Sequence, residues 1–145
     1  MAELKIVIND VKTGKTYAKV VPESDANNLY GLKIGQKVSG GFIGLNDYEL
    51  ELRGGSDDAG FPMRFDIEGS ARKRPYVSHG PGVRGLKHGQ KTRKTMMGNT
   101  INSSVHSVNL KITKYGSKSV EDSLGIKPKE ASEDTKEKKL EKPGA

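Results

Sequence analysis

Gly80-Pro81-Gly82-Val83-Arg84-Gly85 has the spacing G-x-G-x-x-G, which in a nucleotide-binding protein brings backbone close to a pyrophosphate. That chemistry needs a buried strand before the glycines and an acid about 20 residues after them. Lys73-Arg74-Pro75-Tyr76 is not such a strand, and no Asp or Glu follows before Glu121. As a P-loop the run fails too, because Leu86 stands where lysine is required. A nucleotide site is rejected, and the glycines are read as points of sharp turning or close approach to a phosphate. His79, His88 and His106 lack metal-ligand spacing, and no acid close in sequence orients an imidazole. They are read as polar or stacking residues of a basic surface. Asp57 and Asp58 are candidate ligands for a hard cation, but in a Gly-Gly-Ser-Asp-Asp loop such acids more simply bond neighbouring backbone N–H groups. The chain has no cysteine, which removes thiol chemistry and disulfides together. No catalytic residue, metal site or cofactor is expected.

The charge pattern is more informative. Residues 1–52 carry six Lys against seven acids, and residues 119–145 carry the same numbers, so each part is −1. Residues 53–118 carry thirteen Lys and Arg against four acids, a net of +9, and the three parts sum to +7. Every arginine and every histidine lies in that middle part, and no acid occurs between Glu68 and Glu121. A solvated face would mix signs to limit self-repulsion. One-signed charge over so long a stretch calls for a polyanion. The candidate RNA-binding residues are Arg72, Lys73, Arg74 and Tyr76, followed by Arg84, Lys87, Lys91, Arg93 and Lys94, with Arg53 and Arg64 flanking the preceding loop. Arginine forks bind phosphates bidentately, lysine supplies point charge, and Tyr76 offers a stacking face. Interleaved glycines keep the backbone thin, so residues 72–98 are expected to stay mobile until they meet RNA. An RNA-processing or RNA-modifying enzyme docking through the same surface is the alternative; a nearby acid–base pair is what it would require.

These residues must be positioned by short strands. A chain of 145 residues with 32% apolar content supports one domain with a small core, and 18 glycines favour turns over long helices. Leu4, Ile6 and Ile8 alternate with polar neighbours, Thr13-Gly14 marks a turn, and Lys15 to Val21 resumes a β-prone run. Ser24 to Tyr30 is read as one helical turn capped by Ser24 or Asp25. Leu32 to Val38 feeds another strand. Tyr48, Leu50 and Leu52 face opposite Asp47, Glu49 and Glu51, and Val108, Leu110 and Ile112 repeat that period near the end. Gly54 to Met63 is read as a loop, with Gly54 or Gly55 at positive φ and Phe61 and Met63 buried either side of the rigid Pro62. Ser119 opens a short helix with acids in its first turn, and Gly125 ends it. The fold expected is mainly β, a small antiparallel or mixed barrel-like domain over residues 1–125 with basic loops and a short C-terminal helix. Residues 126–145 are a flexible charged tail, since the one large apolar residue of 127–145, Leu140, cannot anchor it. No apolar run is long enough to span a bilayer, and the first residues are not a secretory signal, so a cytoplasmic protein is expected.

Three segments carry a resemblance. Leu52-Arg53-Gly54-Gly55-Ser56-Asp57-Asp58-Ala59-Gly60-Phe61-Pro62-Met63 resembles the hallmark loop of the small-subunit ribosomal protein six family of the archaeal and eukaryotic type. Gly89 to Asn99 is similar to that family's basic stretch, and Ser107 to Gly116 to a later strand, so the likeness covers about residues 3–125. It implies a β-rich protein without catalytic activity in the small ribosomal subunit, contacting 16S-type ribosomal RNA and neighbouring ribosomal proteins. It also implies translation on cytoplasmic ribosomes, with a monomer expected when the protein is free. The long basic helix with phosphorylated serines found in eukaryotic members has no counterpart here, and the short form looks archaeal.

Overall fold

The computed structural model describes residues 3–125; the tail at 126–145 lies outside them. Strands β1 (Leu4–Asn9) and β2 (Thr16–Val21) form a hairpin, and a single helical turn, α1 (Glu23–Ala26), follows. Next come β3 (Lys37–Ser39), a 3-10 turn at Gly40–Ile43, and the long β4 (Glu49–Asp57). Four two-residue strands come next: β5 (Arg72–Lys73), β6 (Tyr76–Val77), β7 (Thr92–Arg93) and β8 (Met96–Met97). The chain returns to the main sheet as β9 (Val105–Lys114) and ends in α2 (Val120–Leu124).

The five longer strands make one mixed sheet in the order β2-β1-β9-β4-β3. β1 and β9 are parallel, with Ile6 opposite Val108 and Ile8 opposite Leu110, while every other pair is antiparallel. Alternation puts Leu4, Ile6, Ile8, Leu50, Leu52, Val108, Leu110 and Ile112 on one buried face. Ala26, Leu29, Ile43, Leu45 and Val120 cover that face. The mainly β expectation therefore holds, although β2 and β3 remain edges and hydrogen bonding does not close a barrel.

Local chemistry explains both ends of the sheet. In the β1–β2 turn, the buried carboxylate of Asp10 accepts from the Lys12 N–H (2.9 Å), the Thr13 hydroxyl (2.7 Å) and the Tyr115 hydroxyl (2.7 Å). Burial pushes Asp10 up, but the hydrogen bonds from Tyr115, Thr13 and the backbone outweigh it and hold the carboxyl below its ordinary value. At α2, the Ser119 side chain accepts from the Asp122 N–H and Gly125 closes the helix in the left-handed conformation, as its caps foretell. The α1 cap differs from expectation: Pro22 occupies the N-cap, and neither Ser24 nor Asp25 caps with its side chain. Proline supplies the extended entry but no side-chain acceptor, and the Asp25 and Ala26 N–H groups bond instead to the Pro22 carbonyl (3.1 Å each).

Three corrections concern residues 53–98. The glycine pair does not begin a loop: Gly54 and Gly55 continue β4 against Asn109 and Val108 of β9. Neither glycine has positive φ. Gly55 is required for another reason, because a Cβ there would lie 2.2 Å from the Ser107 carbonyl oxygen. The third correction is that residues 72–98 do not form a featureless basic loop. β5 pairs with β8 and β6 with β7, giving a two-stranded ribbon interrupted at Pro75. Residues 62–67 lie alongside its returning strand, through Met97 N–H to Pro62 O (2.9 Å) and Arg64 N–H to Met97 O (3.1 Å). Ile67, Val77 and Met96, with Val83 packed on them, form a second small apolar cluster at this ribbon.

Candidate nucleic-acid interface

The ribbon gathers the basic residues that sequence places far apart. Tyr76 is opposite Arg93, and the Arg93 guanidinium lies 5.8 Å from the centre of the Tyr76 ring. Arg93 also donates to the Arg74 carbonyl (3.3 Å), and the Lys94 N–H to the Pro75 carbonyl (3.4 Å). Lys73 stands opposite Met96 and reaches the Glu68 carbonyl with its ammonium (2.8 Å). Lys73, Arg74, Tyr76, Arg93 and Lys94 thus share one short double strand, all exposed. Arg84, Lys87 and Lys91 are exposed on the connection between β6 and β7, where the Lys87 N–H and the Gln90 side chain close a tight turn (3.1 Å).

Electrostatics divides the candidate set. Among the described residues, the four acids of the middle section are all engaged: Asp57 and Asp58 with Arg72, Asp66 with Arg64, and Glu68 with Lys33. Among the same residues, Lys73, Arg74, Arg84, Lys87, Lys91, Arg93 and Lys94 take part in no ion pair. Seven cations on one projecting module, with no acid on it to answer them, attract a polyanion.

The remaining candidates sit elsewhere. Arg53 is exposed on β4 at a register shift and pairs with Glu51 (2.9 Å), so it belongs to the main sheet. Arg64 is only 8% exposed and forms a two-pronged pair with Asp66. Arg72 is half-exposed at the base of the ribbon. The hydrogen-bonded Asp66 carboxylate raises the Arg64 pKa, and Asp57 does the same for Arg72. In the hallmark loop Met63 is buried, as expected, whereas Phe61 is half-buried beneath the Arg72 guanidinium, 5.4 Å from its ring centre. Pro62 bridges back to Ser56 and completes the fold of the loop onto β4.

Sequence reasoning misses two features. One is the pairing of Asp57 and Asp58 with Arg72; the signal was two acids in a loop just ahead of the first basic cluster. The other is Phe65, 74% exposed between Arg64 and Asp66, an apolar ring at the edge of the most basic part of the molecule. The three histidines do not meet: His79 contacts Ser78, His88 is exposed on the ribbon connection, and His106 is exposed on β9. No group of three or more His, Asp or Glu residues among the described residues is placed to hold a metal ion.

Comparison with known proteins agrees with this arrangement. Residues 4–125 match the family described as Ribosomal protein S6e. The chain is 43% identical over 126 residues to small ribosomal subunit protein eS6 of Methanocaldococcus jannaschii, covering 87% of this chain and 94% of that one. It is 42% identical over 141 residues to the eS6 protein of Nitrosopumilus maritimus, covering 97% and 100% of the two chains. The eS6 protein of Archaeoglobus fulgidus is 43% identical over 115 residues, or 79% and 89% of the respective chains. The match spans the main sheet, the ribbon and α2 together, and the chain belongs to the ribosomal protein S6e family.

Proposed function

We propose that this protein is a structural constituent of the small ribosomal subunit in the cytoplasm, where its ribbon binds 16S-type ribosomal RNA. Membership of a ribosomal protein family and the names of its archaeal relatives support the placement in the subunit. One observation carries the RNA contact: Lys73, Arg74, Arg84, Lys87, Lys91, Arg93 and Lys94 project on a single module with no acid among them. Folded RNA presents phosphates and 2′-hydroxyls along a shallow minor groove and hides its base edges in a deep one. A narrow cationic ribbon follows such a phosphate path, and the exposed rings of Tyr76 and Phe65 offer stacking faces to any base turned out of it. Neighbouring ribosomal proteins contact the remaining surface, and the free protein is a monomer. The test is co-sedimentation with small subunits after a high-salt wash. Retention there supports the proposal, whereas recovery only from the free pool, together with turnover of an RNA substrate, would replace it with an enzyme.

A further inference from the structure

We infer that Arg64 and Arg72 are positioning residues, two struts that tie the basic ribbon to residues 57–66 so that the unpaired cations meet RNA in a preset arrangement. The inference rests on the RNA-binding reading above and deepens it.

Arg64 holds the far side of the ribbon. Its Nε and Nη2 donate to the two oxygens of Asp66 at 2.9 and 2.8 Å, and its Nη1 donates to the His79 carbonyl at 2.9 Å. Gly80 lies against the guanidinium so closely that a Cβ would come within 2.8 Å of Nη1, and its φ of +107° suits glycine alone. Gly82 repeats the arrangement, with its missing Cβ 2.7 Å from Pro62 Cγ and 3.2 Å from Met96 Cε. The turn at 79–83 is thereby laid over Arg64, Pro62 and Met96, and Val83 joins the small apolar cluster. Phosphate cannot reach a guanidinium so enclosed without displacing this turn.

Arg72 holds the base. Its Nε donates to Asp57 Oδ2 (2.5 Å), its Nη2 donates to Asp58 Oδ1 (2.6 Å), and its plane lies over the Phe61 ring. The Asp57 side chain has no exposed surface, and its other oxygen accepts from the Phe61 N–H at 2.8 Å. Drawing Arg72 away to a phosphate would strand a buried carboxylate, which is strongly disfavoured. Local charge agrees: Arg64 with Asp66 sums to zero, and Arg72 with Asp57 and Asp58 sums to −1, so neither cluster attracts a polyanion on its own.

The experiment measures binding of the full chain to 16S-type ribosomal RNA transcribed in vitro, across a range of KCl concentrations, alongside amide hydrogen exchange of the free protein. Lys91→Ala is expected to flatten the slope of log affinity against log salt by about one. Arg72→Lys and Arg64→Gln are expected to leave the slope unchanged, to weaken binding at every salt by on the order of tenfold, and to speed exchange at Val77 and Lys94, whose N–H groups face into the ribbon. Arg72→Lys discriminates without removing charge, because a phosphate contact tolerates a lysine point charge whereas the two-carboxylate fork does not. Asp57→Asn keeps an acceptor for the Phe61 N–H while breaking the ion pair, and should copy Arg72→Lys if Arg64→Gln fails to fold. A unit loss of slope for Arg64→Gln or near-normal binding by Arg72→Lys, with ribbon exchange unaltered, would overturn the inference and leave RNA binding standing. Absence of binding by the unmodified protein would instead remove the RNA-binding reading, and a salt slope near zero its phosphate mechanism, while the exchange data still decide whether the struts hold the ribbon.

Discussion

The carbonyl oxygen of Ser107 occupies the space in which any side chain at Gly55 would begin, 2.2 Å from the position of a Cβ. Strands β4 and β9 pair here, and the Met63 sulfur lies 3.2 Å from the same point. Gly55→Ala must push backbone away from backbone, so it is expected to destabilise by at least about 2 kcal/mol, in the upper range of overpacking costs. Gly54, one residue earlier, faces open space with an ordinary backbone conformation, and Gly54→Ala should change stability by less than about 0.5 kcal/mol. Urea denaturation of the two variants measures the contrast directly; equal midpoints would mean the close approach is relaxed in solution.

Burial orders the two large side chains of the same segment. Met63 is 3% exposed within the main core, and Met63→Ala should cost about 2–5 kcal/mol. Phe61 is only half-buried, so Phe61→Ala should cost roughly 2 kcal/mol, near half the value for an enclosed aromatic. Thermal midpoints should therefore fall further for Met63→Ala. The reverse order would show that Phe61 contributes more through Arg72 than its burial indicates.

Asp10 makes stability depend on pH in one direction. Its carboxyl is held below the ordinary value of 3.8, which the unfolded chain regains. The unfolded state thus takes up a proton first as acid is added. The stabilisation from Asp10 is complete above the ordinary carboxyl value and disappears as pH falls through the lower folded value. Carboxyl-carbon NMR titration should place Asp10 below 3.8, and Tyr115→Phe, which removes one donor, should move it upward. No upward movement in that variant would show that the Tyr115 hydrogen bond does not hold the charge.

Counterion release sets the salt dependence of RNA binding. For about six phosphate contacts the slope of log affinity against log salt should be roughly −4 to −5, between the single-strand and duplex coefficients. Residues 127–145 carry six lysines and five acids, a net of only +1, so truncation before residue 127 should leave that slope nearly unchanged. Filter binding at several KCl concentrations reads both quantities, and a shallower slope on truncation would transfer part of the phosphate contact to the tail.

Backbone relaxation of the free protein tests how far the ribbon is ordered before RNA arrives. The ladders at Arg72–Lys73 with Met96–Met97 and at Tyr76–Val77 with Thr92–Arg93 are expected to be as rigid as Val108–Ile112, with fast motion confined to residues 84–91. Uniform mobility from 72 to 98 would restore the expectation drawn from composition and remove the preset arrangement.

Local sequence was sufficient wherever the deciding physics was local. Alternation at Leu4, Ile6 and Ile8, at Leu50 and Leu52, and at Val108, Leu110 and Ile112 marks three strands, because period-two burial is a property of each strand alone. Ser119 and Gly125 frame α2 because capping acts within a few residues. The segregation of charge that points to a polyanion is a sum along the chain and needs no coordinates. Contacts between distant residues decided the rest. Asp10 meets Tyr115 across 105 positions, Arg64 meets His79 across 15, and Arg72 meets Asp57 across 15. Register shifts between Leu52 and Gly54 and between Ser56 and Asp57 break the alternation of β4, which is how Asp57 becomes buried and available to Arg72. Which cations remain unpaired therefore depends on strand register and chain folding. Composition counts a charge the same wherever it lies, whereas a carboxylate neutralises only the guanidinium that the fold brings to it.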